Sequence, residues 1–391
     1  MGGAHGSLAL ARSIGALGVP VWLVSDDSAL PGWSRHVHGA LSWAGADEDG
    51  ALDFLLDAAY RHGLQDHLLV PAGDAEVRLV SQSRRELSEF YRIMLPEWEA
   101  LRWVCEKPLL YQRAKELDIA FPRTYRIASL ERAAELKLTF PVILKPHMGG
   151  GDTHFVKAKV IRADDQSSFL AAYGAAVAEV GPENVVVQEM IPGGGESQFS
   201  YAALWHEGAP VAEFTARRTR QYPIDFGYTS TFVEVMDEPE AKAGARLLLA
   251  SIAHSGLVEI EFKRDKRDGT LKLLDVNPRP WSWFALCRAA GLDLGAMLWT
   301  LAAGGKVQSQ SARSKASWMY LARDATAAAK LVRDGRLSIS EYLRSFATVR
   351  SWATFSMRDP VPGLVDLPLT AWRVLTRRVF KIGRDHRIGG R

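Results

Sequence analysis

At 391 residues, 47% of them hydrophobic and 24% charged, the chain is long enough for two or three domains and has an ordinary globular composition. A net charge of +3 excludes a general polyanion-binding role, so no nucleic-acid partner is expected, and Cys105 and Cys287, the only cysteines, lack metal-site or redox spacing. A reducing cytoplasm is the expected compartment. No apolar run approaches the ~18 residues of a membrane span, the first residues lack a signal-peptide layout, and Gly6 breaks a myristoylation motif.

The opening MGGAHGSLALARSIGALGVPVWLVSDD reads as a Gly-rich turn, a helix from about Ser7 to Leu17 and a strand from Val19 to Ser25. Such a turn normally follows a strand, and here none precedes it: either the start lies too late or the sheet is one strand short. G-G-x-x-G is not the G-x-G-x-x-G dinucleotide fingerprint, so a tight strand-to-helix connection is the better reading. A helix-to-strand unit spans Ala51 to Val70, and Tyr91 to Leu95 supplies a last short strand. This alternation predicts an open parallel α/β domain over residues 1–95. Loops after strand C-termini face the ligand in such sheets, which makes Gly73 to Glu76 a candidate contact, although a helix cap is the preferred role for Asp74 or Glu76.

A helical pattern from Trp98 to Asp118 carries Glu106-Lys107-Pro108, and Phe121-Pro122 introduces a strand at Thr124 to Ile127. Phe140-Pro141 opens the apolar strand Val142-Ile143-Leu144-Lys145-Pro146, followed by Gly149, Gly150 and Gly151. Consecutive glycines let backbone N–H groups approach an anion, and Lys145 supplies charge. The β-branched stretch Val185 to Pro192 runs into Gly193-Gly194-Gly195-Glu196; an exposed backbone edge with apolar flanks suits adenine. In Glu213 to Glu234, Arg217, Arg218 and Arg220 precede a punctuated segment with Tyr222, Phe226 and Tyr228, predicted as a loop whose guanidinium forks match carboxylate or phosphate.

Val258, Ile260 and Phe262 alternate with Glu259, Glu261 and Lys263, the period of a half-buried strand, and a second strand runs from Thr270 to Asn277. A two-residue loop at Asp268-Gly269 would put Glu261 opposite Val276. A three-residue loop, Arg267 to Gly269, with Gly269 left-handed, puts Glu261 opposite Asp275 and Glu259 opposite Asn277, and is the expected form. Carboxylates with an amide oxygen, and no His or Cys nearby, suit Mg²⁺. A helix from Ser282 to Ala303 follows, and residues 306–391 hold helical patterns. Arg373 to Arg391 contains seven basic residues against Asp385, with Trp372, Leu375, Val379 and Ile382 near helical spacing. A helix packed on the body is preferred there over a membrane-surface segment.

The E-x-F strand, turn and D-V-N-P-R strand resemble the metal-binding hairpin of the ATP-grasp superfamily. The lysine helix, lysine strand with glycine loop, and hinge with Glu196 occur in the superfamily's order. The resemblance covers about Met94 to Gly305 and is nearest to predicted carboxylate-amine ligases and D-aspartate ligases. It implies an N-terminal pre-ATP-grasp α/β domain (1–95), an ATP-grasp α+β domain (96–305) with a lid at about 121–190, and a helical C-terminal extension (306–391). It further implies ATP and Mg²⁺ as cofactors, with Mn²⁺ as a permitted substitute. Glu261, Asp275 and Asn277 would hold the metal, and Lys107, Lys145 and Gly149 to Gly151 would meet the phosphates. The backbone of Gln188, Glu189, Met190 and Ile191 would read adenine, and Glu196 would take the ribose. Arg279, with Lys145, would face the transferring phosphoryl group, and Arg218 and Arg220 would border the substrate.

The implied reaction joins a small-molecule carboxylate to an amine through an acylphosphate. Two alternatives stand beside it: an amino-acid ligase, D-aspartate among them, acting on a peptide or cell-wall precursor, and a non-catalytic ATP-binding switch. Assembly as a homo-oligomer is left open.

Overall fold

The computed structural model describes residues 1–2, 5–25, 30–125, 127–146, 160–224, 229–312 and 315–374. Gly149, Gly150 and Gly151, and the basic tail after residue 374, lie outside the described residues.

The helix His5–Gly15 buries Leu8, Leu10 and Ile14 and leads into β1 (Val21–Ser25), which pairs in parallel with β2 (Val37–Ser42). Sequence reading missed β2. Its Gly39 lies under Trp22, where a Cβ would come within 2.5 Å of the indole. The expected strands at 68–70 and 91–95 shrink to one parallel bridge, Leu68 to Arg92. The backbone past Arg92 is occupied otherwise, since Arg84 Nε donates to the Leu95 carbonyl and Ser81 Oγ to that of Pro96.

Met1 and Gly2 sit between β1 and this bridge: the Gly2 N–H donates to Val24 O and the Met1 ammonium to Val70 O, both at 2.8 Å. Behind them an apolar cavity of about 520 Å³ separates Val21–Val24 from Leu68–Val70. It occupies the place of a strand leading into the Gly-rich turn.

A four-stranded antiparallel sheet, β3 (Thr124–Tyr125), β4 (Val142–Pro146), β5 (Ile161–Ala163) and β6 (Val185–Glu189) in the order β3-β6-β4-β5, has its own core. The helix Gln166–Val180 covers it with Phe169, Tyr173 and Ala176, and starts at a capping box between Asp165 and Ser168.

The body sheet comprises β7 (Gln198–His206), β8 (Ala209–Tyr222), β9 (Thr229–Val235), β10 (Gly256–Arg264), β11 (Leu271–Asn277), β12 (Gln310–Ser311), β13 (Ser317–Met319) and β14 (Val349–Trp352). Their order is β11-β10-β7-β8-β9-β13-β14, with β12 on β8. Residues 199–205 of β7 are buried on both faces, which is why this central strand is a continuous apolar run broken only by Ser200. The stretch expected as a loop at 213–222 is strand β8.

Residues 306–374 are more than a helical appendage, because β12, β13 and β14 complete the body sheet around the helices Leu321–Arg333 and Ile339–Ser345. The expected helix from 282 to 303 is two, Ala285–Ala289 and Leu294–Ala302, divided at Gly291 with φ +88°. Among the described residues no helix is long and apolar enough to cross a membrane.

Candidate active site

The site is built on the β10–β11 hairpin. Glu259 pairs with Asn277 and Glu261 with Asp275, the expected partners, but the loop expected to set them is different. Asp265 N–H donates to Thr270 O and Gly269 N–H to Asp265 O, each at 2.8 Å, so four residues, 266 to 269, make the turn. Gly269 does take the left-handed φ of +76°. The register is restored farther down, where Leu274 bulges between the pairs Glu261–Asp275 and Phe262–Leu273. Two distant groups hold the bulge: Tyr111 Oη donates to Leu274 O at 3.2 Å, and Leu273 N–H to Ala120 O at 2.8 Å.

Cations surround this acidic face. The predicted 98–118 helix breaks at Glu106, giving helices Trp98–Cys105 and Lys107–Glu116, and the break delivers Lys107 as the first residue of the second. Its buried Nζ bonds Asp275 Oδ1. Burial works against both charges, but Lys107 and Lys145 hold the Asp275 carboxyl below its ordinary range, and Asp275 raises the Lys107 ammonium. Lys145 Nζ donates to Tyr111 Oη at 3.2 Å.

Arg218, on β8, pairs with Glu261, and Arg279 Nε donates to Asp74 Oδ1 at 2.6 Å. The preferred cap reading of Asp74 and Glu76 therefore fails. Gly73 is the N-cap of Asp74–Gln82, and the Asp74 side chain turns to the hairpin instead.

Glu259 lies deepest. Ser200 Oγ and Trp283 Nε1 donate to its Oε1 at 2.9 and 3.0 Å, and Asn277 Nδ2 to its Oε2 at 3.3 Å. Burial, and then the charge of Glu261, push its carboxyl up to about 7. Asn277 Oδ1 accepts from Arg279 at 3.0 Å, so its amide presents nitrogen to the carboxylates. Among the described residues no three His, Cys, Asp or Glu side chains form a ready metal cage, because Lys107 and Arg218 occupy the hairpin's acids.

At the hinge, Met190 N–H donates to Pro141 O at 3.0 Å. An antiparallel pair would return a bond to the Met190 carbonyl, but Pro141 has no N–H, and among the described residues no donor reaches that oxygen. The Glu189 carboxylate is held by Lys272 at 2.8 Å and Arg267 at 3.0 Å. Glu196 accepts from Lys266 at 2.8 Å and from Gly194 N–H at 3.1 Å. Buried Lys263 lies on the same strand face as Glu259 and Glu261, and burial brings its ammonium down to about 8.

No known family profile matches the chain. A D-aspartate ligase of Enterococcus faecium (strain Aus0004) is 23% identical over 235 residues, 56% of this chain and 55% of that enzyme, so the chain spans about half the length of this curated relative. The biotin carboxylase domain of Hydrogenobacter thermophilus 2-oxoglutarate carboxylase, solved with MgADP, ADP and bicarbonate, superposes with a TM-score of 0.63 at 14% identity, over 81% of this chain and 72% of that one. An L-amino acid ligase from Bacillus licheniformis gives 0.57 at 15%, over 77% and 72%. The chain has the ATP-grasp fold.

On this ATP-grasp scaffold Lys107, Lys145, Arg218, Glu261, Asp275, Asn277 and Arg279 gather around the hairpin. Arg220, expected beside the substrate, goes elsewhere, into a buried two-pronged bond to Asp324 at 2.8 and 2.9 Å. The Gln188 side chain is buried with its amide on Thr124 Oγ1 at 2.8 Å, and its backbone lies within the sheet, opposite Thr124 and Ile143. Sequence reasoning assigned no role to Glu259, Lys263, Tyr111 or Trp283. The alternation along β10 already placed Glu259 and Lys263 with Glu261. Nothing local marked Tyr111 or Trp283.

Proposed function

We propose that this ATP-grasp chain is an ATP-dependent carboxylate-amine ligase. The observation that carries the reading is the convergence of Lys107, Arg218 and Arg279 on the face of Glu259, Glu261, Asp275 and Asn277, with Lys145 one hydroxyl away through Tyr111. Nucleotide binding alone does not require so many charges at one hairpin end. Phosphoryl transfer does, because positioning and charge compensation supply most of its catalysis.

Glu261 and Asp275, backed by Glu259, are hard oxygen donors that fit Mg²⁺, with Mn²⁺ as a substitute. Half a turn of the Asn277 amide would add its oxygen. The ion supplies charge neutralisation on the nucleotide phosphates when bound. The free Met190 carbonyl suits the exocyclic amine of adenine, Glu196 the ribose hydroxyls, and the glycines 149 to 151 the phosphates. A substrate carboxylate oxygen attacks the γ-phosphorus and ADP departs; an amine then attacks the acyl carbon and phosphate departs, leaving an amide. Lys107, Lys145 and Arg279 offset charge on the transferred group.

The match to a D-aspartate ligase favours an amino acid as the carboxylate substrate, and a peptide or cell-wall precursor is the amine carried over from the sequence resemblance. The test is ADP release with Mg-ATP across D- and L-amino acids and small carboxylic acids, with and without amines or peptides, beside Asp275→Asn and Arg279→Ala. Substrate-dependent release lost in both variants supports the ligase. ATP binding without turnover across the panel would replace it with the switch reading.

A further inference from the structure

The helix Val361–Val374 is inverted for a surface helix. It buries Pro362 and Asp366, the latter only 7% exposed and within hydrogen-bond reach of Thr354 Oγ1. Toward solvent it turns Val361, Leu364, Leu367 and Trp372, exposed by 43, 67, 63 and 62%, with Met357 ahead of them at 85%. At 3.6 residues per turn the four helical positions fall within one arc of about 140°. An amphipathic helix ordinarily gives such a stripe to the core, and an exposed apolar patch marks an interaction surface.

Charge indicates what meets it. Residues 373–391 hold seven Lys and Arg against one Asp, a net +6, whereas the whole chain carries +3, so the first 372 residues carry −3. A basic end on an acidic body, beginning where the apolar stripe ends, matches a surface both oily and anionic. Leu375, Val379 and Ile382 continue the stripe's spacing in the sequence. Nucleic acid would use the arginines but not Leu364 and Leu367, and a second copy on this face would bring two +6 segments together. An anionic bilayer uses both, with leucines and tryptophan in the acyl boundary and arginines at the headgroups.

We propose that the exposed apolar face of the helix Val361–Val374, with the charge of the seven Lys and Arg that the sequence carries over 373–391, docks the protein on an anionic membrane surface. The proposal is independent of the ligase reading and places no segment across the bilayer.

The test is co-sedimentation of the full chain with vesicles of phosphatidylcholine alone and of phosphatidylcholine with phosphatidylserine. Binding is expected to the mixed vesicles and to weaken as salt rises from about 0.1 to about 1 M, where the screening length falls from ~10 to ~3 Å. Leu364→Ser with Leu367→Ser is expected to lower the affinity about ten-fold or more, with the thermal midpoint and ADP release unchanged. Arg377→Gln, Arg378→Gln and Lys381→Gln together are expected to abolish the preference for phosphatidylserine. Equal sedimentation with both vesicle types, sedimentation with neither, or a leucine variant that shifts only the oligomeric state in light scattering would each overturn the proposal.

Discussion

Arg279 donates its Nε to Asp74 at 2.6 Å and an Nη to Asn277 at 3.0 Å, so one guanidinium ties the N-terminal unit to the end of the hairpin across 205 residues. Burial alone would lower its pKa, but Asp74 more than offsets this and keeps the guanidinium charged. Gly6 strengthens the same junction, since a Cβ there would come within 2.6 Å of the Trp281 carbonyl. If Arg279 meets the transferring phosphoryl group, Asp74 sets its direction. Asp74→Asn should lower kcat about ten-fold with a small change in the Mg-ATP KM, and Arg279→Ala should lower kcat by roughly 10²–10³. Steady-state ADP release measures both.

The Lys107–Asp275 pair predicts a link between stability and ligand. Lys107 is buried and the Asp275 side chain is 42% exposed, so Asp275→Asn leaves the ammonium without its partner at a cost of about 1–3 kcal/mol, toward the low end because of that exposure. Adding Lys107→Met should recover most of the loss. Mg-ATP should raise the melting temperature of the parent chain and much less that of Asp275→Asn, as read by scanning fluorimetry.

The acidic face was legible because its signal is local: apolar and charged residues alternate along β10, which puts Glu259 and Glu261 on one face, whereas their partners across the hairpin depended on the loop. The loop was not, because its four-residue form is compensated by a bulge at Leu274 that Tyr111 and Ala120 hold from far along the chain. Strands β13 and β14 have three and four residues, too few to show a period, and exist through their pairing with β9 and with each other. Asp74 looked like a cap because its best partner is 205 residues away.

His254 predicts acid sensitivity. It is wholly buried, and burial lowers its pKa to about 3, against a smaller opposing push from the Leu257 backbone. The unfolded chain binds this proton near 6.5 and the folded chain does not, so the contribution is full above pH 6.5 and is lost as pH falls toward 3. One such group costs about 2 kcal/mol by pH 5. His254→Leu should flatten the fall in melting temperature between pH 6.5 and 5.

The slot between β1 and Leu68–Val70 predicts that the fold accepts one more strand. In the parallel bridge Leu69 N–H and His67 O point to Arg92, which turns the Leu68 backbone groups toward the slot. Five apolar residues fused ahead of Met1 should raise the melting temperature by on the order of 5 °C, and a Ser/Lys extension of equal length should not. Slower hydrogen exchange at Leu68 would locate the added strand.

Arg220 and Asp324 decide whether the C-terminal extension is part of the working body. The pair is 4 and 0% exposed, joins β8 to the helix Leu321–Arg333, and is completed by Ser345 at 3.1 Å and by the Phe232 ring 4.0 Å from the guanidinium. Removing one partner of such a pair strands a buried charge, so Asp324→Ala should cost about 3–5 kcal/mol. Replacing both by apolar residues of similar size removes the stranded charge, and Arg220→Met with Asp324→Leu should recover most of that stability. Arg220 had been expected beside the substrate, and the double variant separates the roles. A structural arginine leaves ADP release close to that of the parent once stability returns, whereas a substrate arginine leaves a stable protein whose KM for the carboxylate has risen at least ten-fold. The geometry predicts the first outcome, because both prongs of the guanidinium are already taken by Asp324 and the acids of the hairpin are met by Arg218.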